Sequence, residues 1–219
     1  MKKLNKIPFS NNDILNKYIL TYTEPDYFIS ELKNYFISEI NNTNNKELIK
    51  YILEEYYDYN TMINHKNSLI RRIYAENGYN LQNYATDKDK EVRLEVAIQG
   101  KHFDILHTDP SSEIRLEIAK QGKYHEILCK DPNWRIRLEV AYQGNCLDKL
   151  YNDHHAIIRS EVAAKGKYHD VLHKDPDFIV RFEIVTQGKY LEVLKNDSNE
   201  FIKKIALEKL KELKNEEIK

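Results

Sequence analysis

The most constraining feature of this sequence is the spacing of its six glycines, each of which lies 22 residues from the next. Arginine and aspartate recur at the same interval, and no insertion interrupts the series. A fixed period of this length is typical of repeat proteins, in which each unit buries its apolar face against its neighbours. The sequence therefore predicts an all-α fold, an α-solenoid of 22-residue repeats over residues 65–196. The glycines are Gly78, Gly100, Gly122, Gly144, Gly166 and Gly188.

One unit, DPNWRIRLEVAYQGNCLDKLYN at residues 131–152, indicates how each repeat folds. Asp131 is suited to cap a helix, Pro132 to occupy its first position, and Gly144 to end it in the left-handed conformation. These residues delimit a long helix of about twelve residues. The remainder has room for one short helix, partly 3₁₀, that carries a recurring leucine. The leucines are Leu106, Leu128, Leu150, Leu172 and Leu194.

The two charged columns of the long helix are expected to point in different directions. On a helical wheel, Arg137 lies within the apolar arc that includes Ile136, whereas Glu139 lies nearly opposite. A buried arginine needs a hydrogen-bonded partner, and the aspartates of the same period supply one. We therefore expect the arginines to point inward between units and the glutamates to face solvent. The expected structural ladder comprises Arg93, Arg115, Arg137, Arg159, Arg181, Asp109, Asp131, Asp153 and Asp175.

The pattern D-P-x-x-x-[IV]-R-x-x-[VI]-A, closed by glycine, resembles the short repeats of the HEAT-like superfamily, with the leucine-rich-variant repeats as nearest relatives. The resemblance covers roughly residues 65–210. It implies that aspartate–arginine pairs join adjacent units. It also implies a binding scaffold, since most members bind other macromolecules and a few are enzymes, alkylpurine DNA glycosylases among them. Fold alone does not decide between these functions.

The two ends of the chain depart from the period. Residues 1–64 predict at least three helices, which start near Asn11, after Pro25 and at about Asn45. This segment is either a helical cap on the solenoid or a separate functional head. Residues 197–219 predict a C-terminal capping helix, because the stretch Phe201–Leu213 lacks a glycine stop and becomes charged.

Composition excludes several classes of protein. Lys and Arg total 34 against 35 Asp and Glu, so the chain lacks the cationic surplus of a nucleic-acid or anionic-membrane binder. No apolar run exceeds three residues, which argues against a transmembrane helix or a signal peptide. The two cysteines, Cys129 and Cys146, supply neither a disulfide framework nor a tetrathiolate site. We expect a cytoplasmic protein.

Two sets of residues are candidates for binding a partner. The glutamate column is either a solvated face balanced by lysines or a docking strip for a protein with a basic surface. Columns that differ between units are freer to serve a partner, and tyrosine is frequent in them and common at interfaces. Alternatively, these tyrosines only cover the short helix. The candidates are Glu95, Glu117, Glu139, Glu161, Glu183, Tyr124, Tyr142, Tyr168 and Tyr190.

Signals for metal binding or catalysis are weak. His169 and His173 share a helical face at a ligand spacing, but no third or fourth ligand has a fixed place, so we expect no metal and no cofactor. The chain has no glycine-rich phosphate loop, nucleophile elbow or HExxH motif. A glycosylase would place aromatic residues around an extruded base, but the single tryptophan, Trp134, is assigned to the core.

We therefore expect a non-enzymatic protein-binding scaffold, an adaptor or an inhibitor, that presents an extended curved surface to a macromolecular partner. The alternative is a HEAT-like nucleic-acid-binding protein or a DNA glycosylase-type enzyme, for which salt-dependent DNA or RNA binding would be the sign. The sequence leaves open the oligomeric state and which face is concave.

Overall fold

A computed structural model describes residues 64–217, which contain thirteen helices and no strand. The chain divides into two compact units, Met1–Gln99 and Gly100–Lys219. The all-α prediction is confirmed for the described residues, and successive helices contact one another as a helical repeat requires. The three helices expected before residue 58, and with them the N-terminal cap or head, lie outside the described residues.

The described part of the first unit contains two long helices and one short helix between them. The long helices pack on each other through side chains that solvent does not reach, among them Ile70, Val92 and Val96. The helices are α1 (Ser68–Glu76), α2 (Leu81–Tyr84) and α3 (Lys90–Ile98).

The second unit alternates four-residue and nine-residue helices and ends with one helix of 18 residues. Consecutive long helices contact each other, and each short helix contacts the long helix that follows it. The helices are α4 (Phe103–Leu106), α5 (Ser112–Lys120), α6 (His125–Leu128), α7 (Trp134–Tyr142), α8 (Leu147–Leu150), α9 (Ala156–Ala164), α10 (His169–Leu172), α11 (Phe178–Thr186), α12 (Leu191–Leu194) and α13 (Glu200–Glu217).

The long helices begin two residues later than the sequence predicted. Asn133, not Asp131, is the N-cap of α7, and its side chain accepts a hydrogen bond from the Arg135 backbone N–H at 3.0 Å. Asp131 instead accepts from the Asn133 N–H at 2.8 Å, and its carboxylate is held by Arg115. The interpretation of Asp131 and Pro132 as cap and first helical residue is therefore wrong, and the helix has nine residues rather than about twelve.

The predicted glycine stop is confirmed. Gly144 has a φ of 78°, a conformation that L side chains rarely adopt, and its N–H donates to the Ala141 carbonyl at 2.8 Å. The next N–H, of Asn145, donates to the Val140 carbonyl at 3.1 Å, which completes a Schellman-type ending. One residue further, Cys146 also has a positive φ, 51°, and caps the following short helix.

Each repeat contributes the same residues to the interior. In α7 these are Ile136, Val140 and Ala141, which solvent does not reach, and each short helix adds its last leucine. Burying one such leucine, isoleucine or valine stabilises the fold by about 1.5–3 kcal/mol. The predicted leucine column is confirmed, since all five of its members are buried: Leu106, Leu128, Leu150, Leu172 and Leu194.

Candidate functional site

The arginines of the repeat join each unit to the next. Arg137 donates from Nε and Nη2 to both carboxylate oxygens of Asp153, at 2.7 and 3.0 Å, and from Nη1 to the Asp131 carbonyl at 2.7 Å. The side chains of Arg137 and Asp153 are only 5% and 6% exposed. Because these donors face protein acceptors, the row is a structural joint and not an anion-binding surface. The same pairing is found in Arg71–Asp87, Arg115–Asp131, Arg159–Asp175 and Arg181–Asp197.

Two further members of the predicted ladder have their own backbone contacts. Arg93 donates from Nη1 to the Asp87 carbonyl at 2.6 Å. Asp109 accepts from the Ser111 N–H at 2.8 Å, the bond that Asp131 makes to Asn133. The arginine and aspartate columns thus also fix the turn that precedes each long helix.

Pairing shifts the pKa values of these groups toward the ionised forms. The hydrogen bonds from Arg181 lower the pKa of Asp197 against the opposing effect of burial. The hydrogen bond with Asp197 correspondingly raises the pKa of the Arg181 guanidinium. Around Asp153, burial acts to raise the pKa, but the hydrogen bonds from Arg137 and from the His155 N–H outweigh it, so the pKa is lowered. These pairs are ionised at neutral pH.

The expectation that the glutamate column faces solvent is wrong. Glu95 is buried, 7% exposed, and its Oε1 accepts from Arg72 Nε at 2.9 Å. The cause is the neighbouring long helix, which covers this face although the wheel of a single helix shows it as outward. The remaining four glutamates are half-buried: Glu117, Glu139, Glu161 and Glu183.

The glutamates hold glutamines that cap the preceding helix. Glu139 accepts from the Gln143 side-chain amide at 2.8 Å, and the same amide donates to the Ala119 carbonyl at the end of α5, also at 2.8 Å. Gln187 donates in the same way to Ala163 at 3.0 Å. A structural contact therefore occupies much of the column, and its role as a docking strip stays a prediction.

The structure brings together two variable columns that the sequence presents separately. The residue after each short helix meets the cap of the next short helix, and in three units the two side chains are stacked rings. The stacked pairs are His107–Tyr124, Tyr151–Tyr168 and His173–Tyr190, with ring centroids 4.4, 4.5 and 4.1 Å apart. In the fourth unit the same positions hold Cys129 and Cys146. Three of the four candidate tyrosines therefore have a ring partner.

Tyr142 differs from the other candidate tyrosines. Its side chain is 63% exposed, and Lys165 Nζ lies 4.7 Å from its ring centroid. This is the geometry of a cation–π contact on the surface. Of the tyrosine set, Tyr142 is the member most available to a partner.

The aromatic and histidine candidates have local partners. Trp134 is half-buried and stacks on His155 at 4.7 Å, so its assignment to the core is wrong. The reason is the later helix start, which places Trp134 at the first helical residue. His169 donates to the Ala163 carbonyl at 2.8 Å and His173 to the His169 carbonyl at 2.9 Å. Within residues 64–217, no three His, Cys, Asp or Glu side chains are grouped so that they could hold a metal ion.

The most regular exposed feature was missed by the sequence reasoning. In the unit that starts at Gly100, the second residue of every short helix is an exposed acid and the third is an exposed aliphatic residue, except Lys149 in α8. We call these residues the acidic–aliphatic row. The aliphatic members are 38–51% exposed. The sequence signal is the series DIL, EIL, DKL, DVL, EVL, whose leucines alone had been assigned a place. The row comprises Asp104, Ile105, Glu126, Ile127, Asp148, Lys149, Asp170, Val171, Glu192 and Val193.

Surface grooves lie beside this row. One, of about 520 Å³, is lined by Ile127 together with Pro110 and Pro132 of the turns before α5 and α7. Another, of about 660 Å³, is lined by Val171 and by Pro176 of the turn before α11. Each groove lies between a short helix and the turn that leads into the next long helix, so the repeat produces the same surface at intervals.

No protein-family model matches this chain, and no curated protein matches it either. Within residues 64–217, none of the helices combines the length and the apolar character needed to cross a membrane.

Proposed function

We propose that the chain is a non-enzymatic protein-binding scaffold of the cytoplasm, an adaptor or inhibitor built as an α-solenoid of HEAT-like repeats. Residues 65–196 form the repeats, residues 1–64 a helical cap or head, and residues 197–219 a C-terminal capping helix. The alternation of long and short helices and the arginine–aspartate joints support this architecture. The buried ends of Ile202 and Ala206 in α13 support the capping assignment.

The observation that carries the proposal is the acidic–aliphatic row. Isoleucine and valine are only moderate helix formers, and at about half exposure they recover little of the benefit of burial. Isolated exposed apolar residues need no explanation, but a row that recurs at each repeat beside surface grooves is typical of an interaction site. The fold itself needs the leucine that follows, not the aliphatic residue before it.

The charges of the row favour a basic partner. Glu126 pairs with Lys149, and Glu192 with Lys195. Asp104, Asp148 and Asp170 form no ion pair with other residues of the described range 64–217. A basic segment with apolar side chains at intervals would neutralise these acids and place its apolar residues in the grooves, as an amphipathic helix or extended peptide does.

Affinity purification with the full chain from its source cell tests the proposal. The variant Ile127→Ser/Val171→Ser/Val193→Ser removes the aliphatic part of the row. The matched control, Ile157→Ser/Ile179→Ser, removes two aliphatic side chains of similar exposure that lie at the starts of α9 and α11. Circular dichroism verifies that both variants fold.

We expect the wild type and the control to recover the same basic protein, and the triple variant to recover at least about tenfold less of it, a loss of roughly 1.4 kcal/mol in binding. Equal recovery by the triple variant would remove the row from the interface. Recovery that nuclease treatment abolishes would favour the nucleic-acid alternative.

A further inference from the structure

The fold places the two cysteines of the chain side by side. Cys129 follows α6 and Cys146 caps α8, and each is a free thiol. The Cys129 Sγ lies 3.5 Å from the Glu126 carbonyl oxygen, and the Cys146 Sγ lies 3.5 Å from Glu126 Oε1. The two thiols also contact each other. Glu126 therefore lies against both sulfur atoms.

The repeat itself creates this juxtaposition. Side chains at the corresponding positions of three other units stack ring on ring at 4.1–4.5 Å. The backbone of the capping residue is alike at each step, with φ between 51° and 56° for Tyr124, Cys146, Tyr168 and Tyr190. These two positions therefore face each other in every such unit, and between α6 and α8 the facing pair is two thiols.

We propose that Cys129 and Cys146 form a redox-sensitive site, at which a peroxide or a small-molecule disulfide converts the two thiols into a disulfide that covalently joins adjacent repeats. This goes beyond the proposed function, since it rests on the cysteine pair and not on the acidic–aliphatic row. Facing side chains on closely packed turns satisfy the short Cβ–Cβ separation that a disulfide requires.

With hydrogen peroxide, the reaction balances as follows. Cys146, which is half-buried whereas Cys129 is buried, attacks one peroxide oxygen as the thiolate. The O–O bond breaks, hydroxide leaves and takes up the thiol proton as water, and Cys146 becomes a sulfenic acid. Cys129 then attacks the Cys146 sulfur, the S–S bond forms and the S–O bond breaks. The second hydroxide leaves as water with the Cys129 proton, so one peroxide is reduced to two waters.

The surroundings keep the pair reduced until an oxidant is abundant. Burial, and after it the contact with Cys129, raise the pKa of Cys146 to about 12. The charged groups beside the pair are the Glu126 carboxylate and Lys149, which pair with each other. Because only the thiolate attacks, reaction at neutral pH is slow, and the dithiol is the resting form.

The test uses the full chain, reduced and then exposed to hydrogen peroxide or, separately, to oxidised glutathione. We expect a mass lower by two hydrogen atoms, a cross-linked peptide pair containing both cysteines, and a melting temperature higher by roughly 5–10 °C that dithiothreitol reverses. Cys129→Ser and Cys146→Ser should each abolish all three changes.

A second variant tests whether the two columns create the geometry. Tyr151→Cys/Tyr168→Cys, in a chain whose native cysteines are both serine, should form the equivalent disulfide between the next pair of units. The proposal is overturned if the native fold yields only oxygen-added cysteines, mixed disulfides or cross-linked dimers while the chain unfolded in urea forms the intramolecular bond.

Discussion

In the unit that begins at Gly100, the long and short helices follow one 22-residue period but use their charged side chains differently. On α7, Arg137 and Glu139 bond to groups that position the neighbouring helices. On α8, Asp148 recurs with equal regularity but lies exposed and bonds to nothing that holds the fold. Periodic recurrence therefore does not distinguish a structural charge from an accessible one, whereas burial by the next repeat does.

The largest expected effect is on the long-helix side. Arg137→Ala should reduce the free energy of unfolding by about 3–5 kcal/mol, because Asp153 would remain buried without its partner. Arg135→Ala, at an exposed position on the same helix, should cost less than about 1 kcal/mol. Urea denaturation of the two variants measures the difference. Equal losses would mean that the arginine column does not join the repeats.

The short helices allow the same contrast between adjacent residues. Leu172→Ala should cost about 2–5 kcal/mol, since it opens a cavity among buried side chains. Val171→Ala, one residue earlier and about half exposed, should change stability by no more than about 0.5 kcal/mol. Thermal or chemical unfolding compares them. A large loss for Val171→Ala would assign the aliphatic row to the core and withdraw it from partner binding.

The sequence predicted the parts of the fold that one repeat determines by itself. The glycine stop, the leucine column and the inward arginines depend on a local pattern, and each is found where the pattern placed it. The position of the helix start depended on tertiary contacts. Asp131 before a proline is a good cap in isolation, but its carboxylate is bound by Arg115 of the preceding helix, so Asn133 becomes the cap.

The candidate site was harder to predict because neighbouring units create it. A wheel of one helix cannot show that the next long helix covers Glu139, and it therefore suggested an outward face. Nothing in local spacing indicates that Cys129 and Cys146 meet, since the contact arises between the end of one short helix and the start of the next. Comparing the same column across all units would have indicated both the acidic–aliphatic row and the facing ring positions.

Acid should weaken the joints on the long-helix side. The pKa of Asp197 is lowered in the fold, so its contribution to stability is complete above the ordinary carboxyl pKa of about 4 and is lost as the pH falls through the folded value. Asp197→Asn should cost about 1.5–3 kcal/mol at neutral pH through loss of charge-assisted hydrogen bonds. It should also flatten the acid side of the stability–pH curve. An unchanged curve in the variant would show that other carboxylates control acid unfolding.

Gln143 tests the weaker joint of the long helices. Gln143→Ala removes the bonds from its amide to Ala119 and Glu139 and should cost about 1 kcal/mol. Lys165 occupies the same position in the next unit and pairs only with Glu161, so Lys165→Ala should cost about 0.5 kcal/mol or less. Urea unfolding of both variants decides whether the glutamine bond to the preceding helix contributes to stability.

The smallest effect on stability should accompany the clearest effect on binding. Asp148→Asn/Asp170→Asn removes two exposed charges of the acidic–aliphatic row and should alter the free energy of unfolding by no more than about 0.5 kcal/mol. It should slow association with the basic protein recovered by the wild type and reduce the dependence of that rate on salt, because exposed charges act through steering. Glu117→Gln/Glu139→Gln, with the same loss of charge on the half-buried column, should lower stability and leave the association rate nearly unchanged. The opposite result in stopped-flow measurements would return the docking role to the glutamates of the long helices.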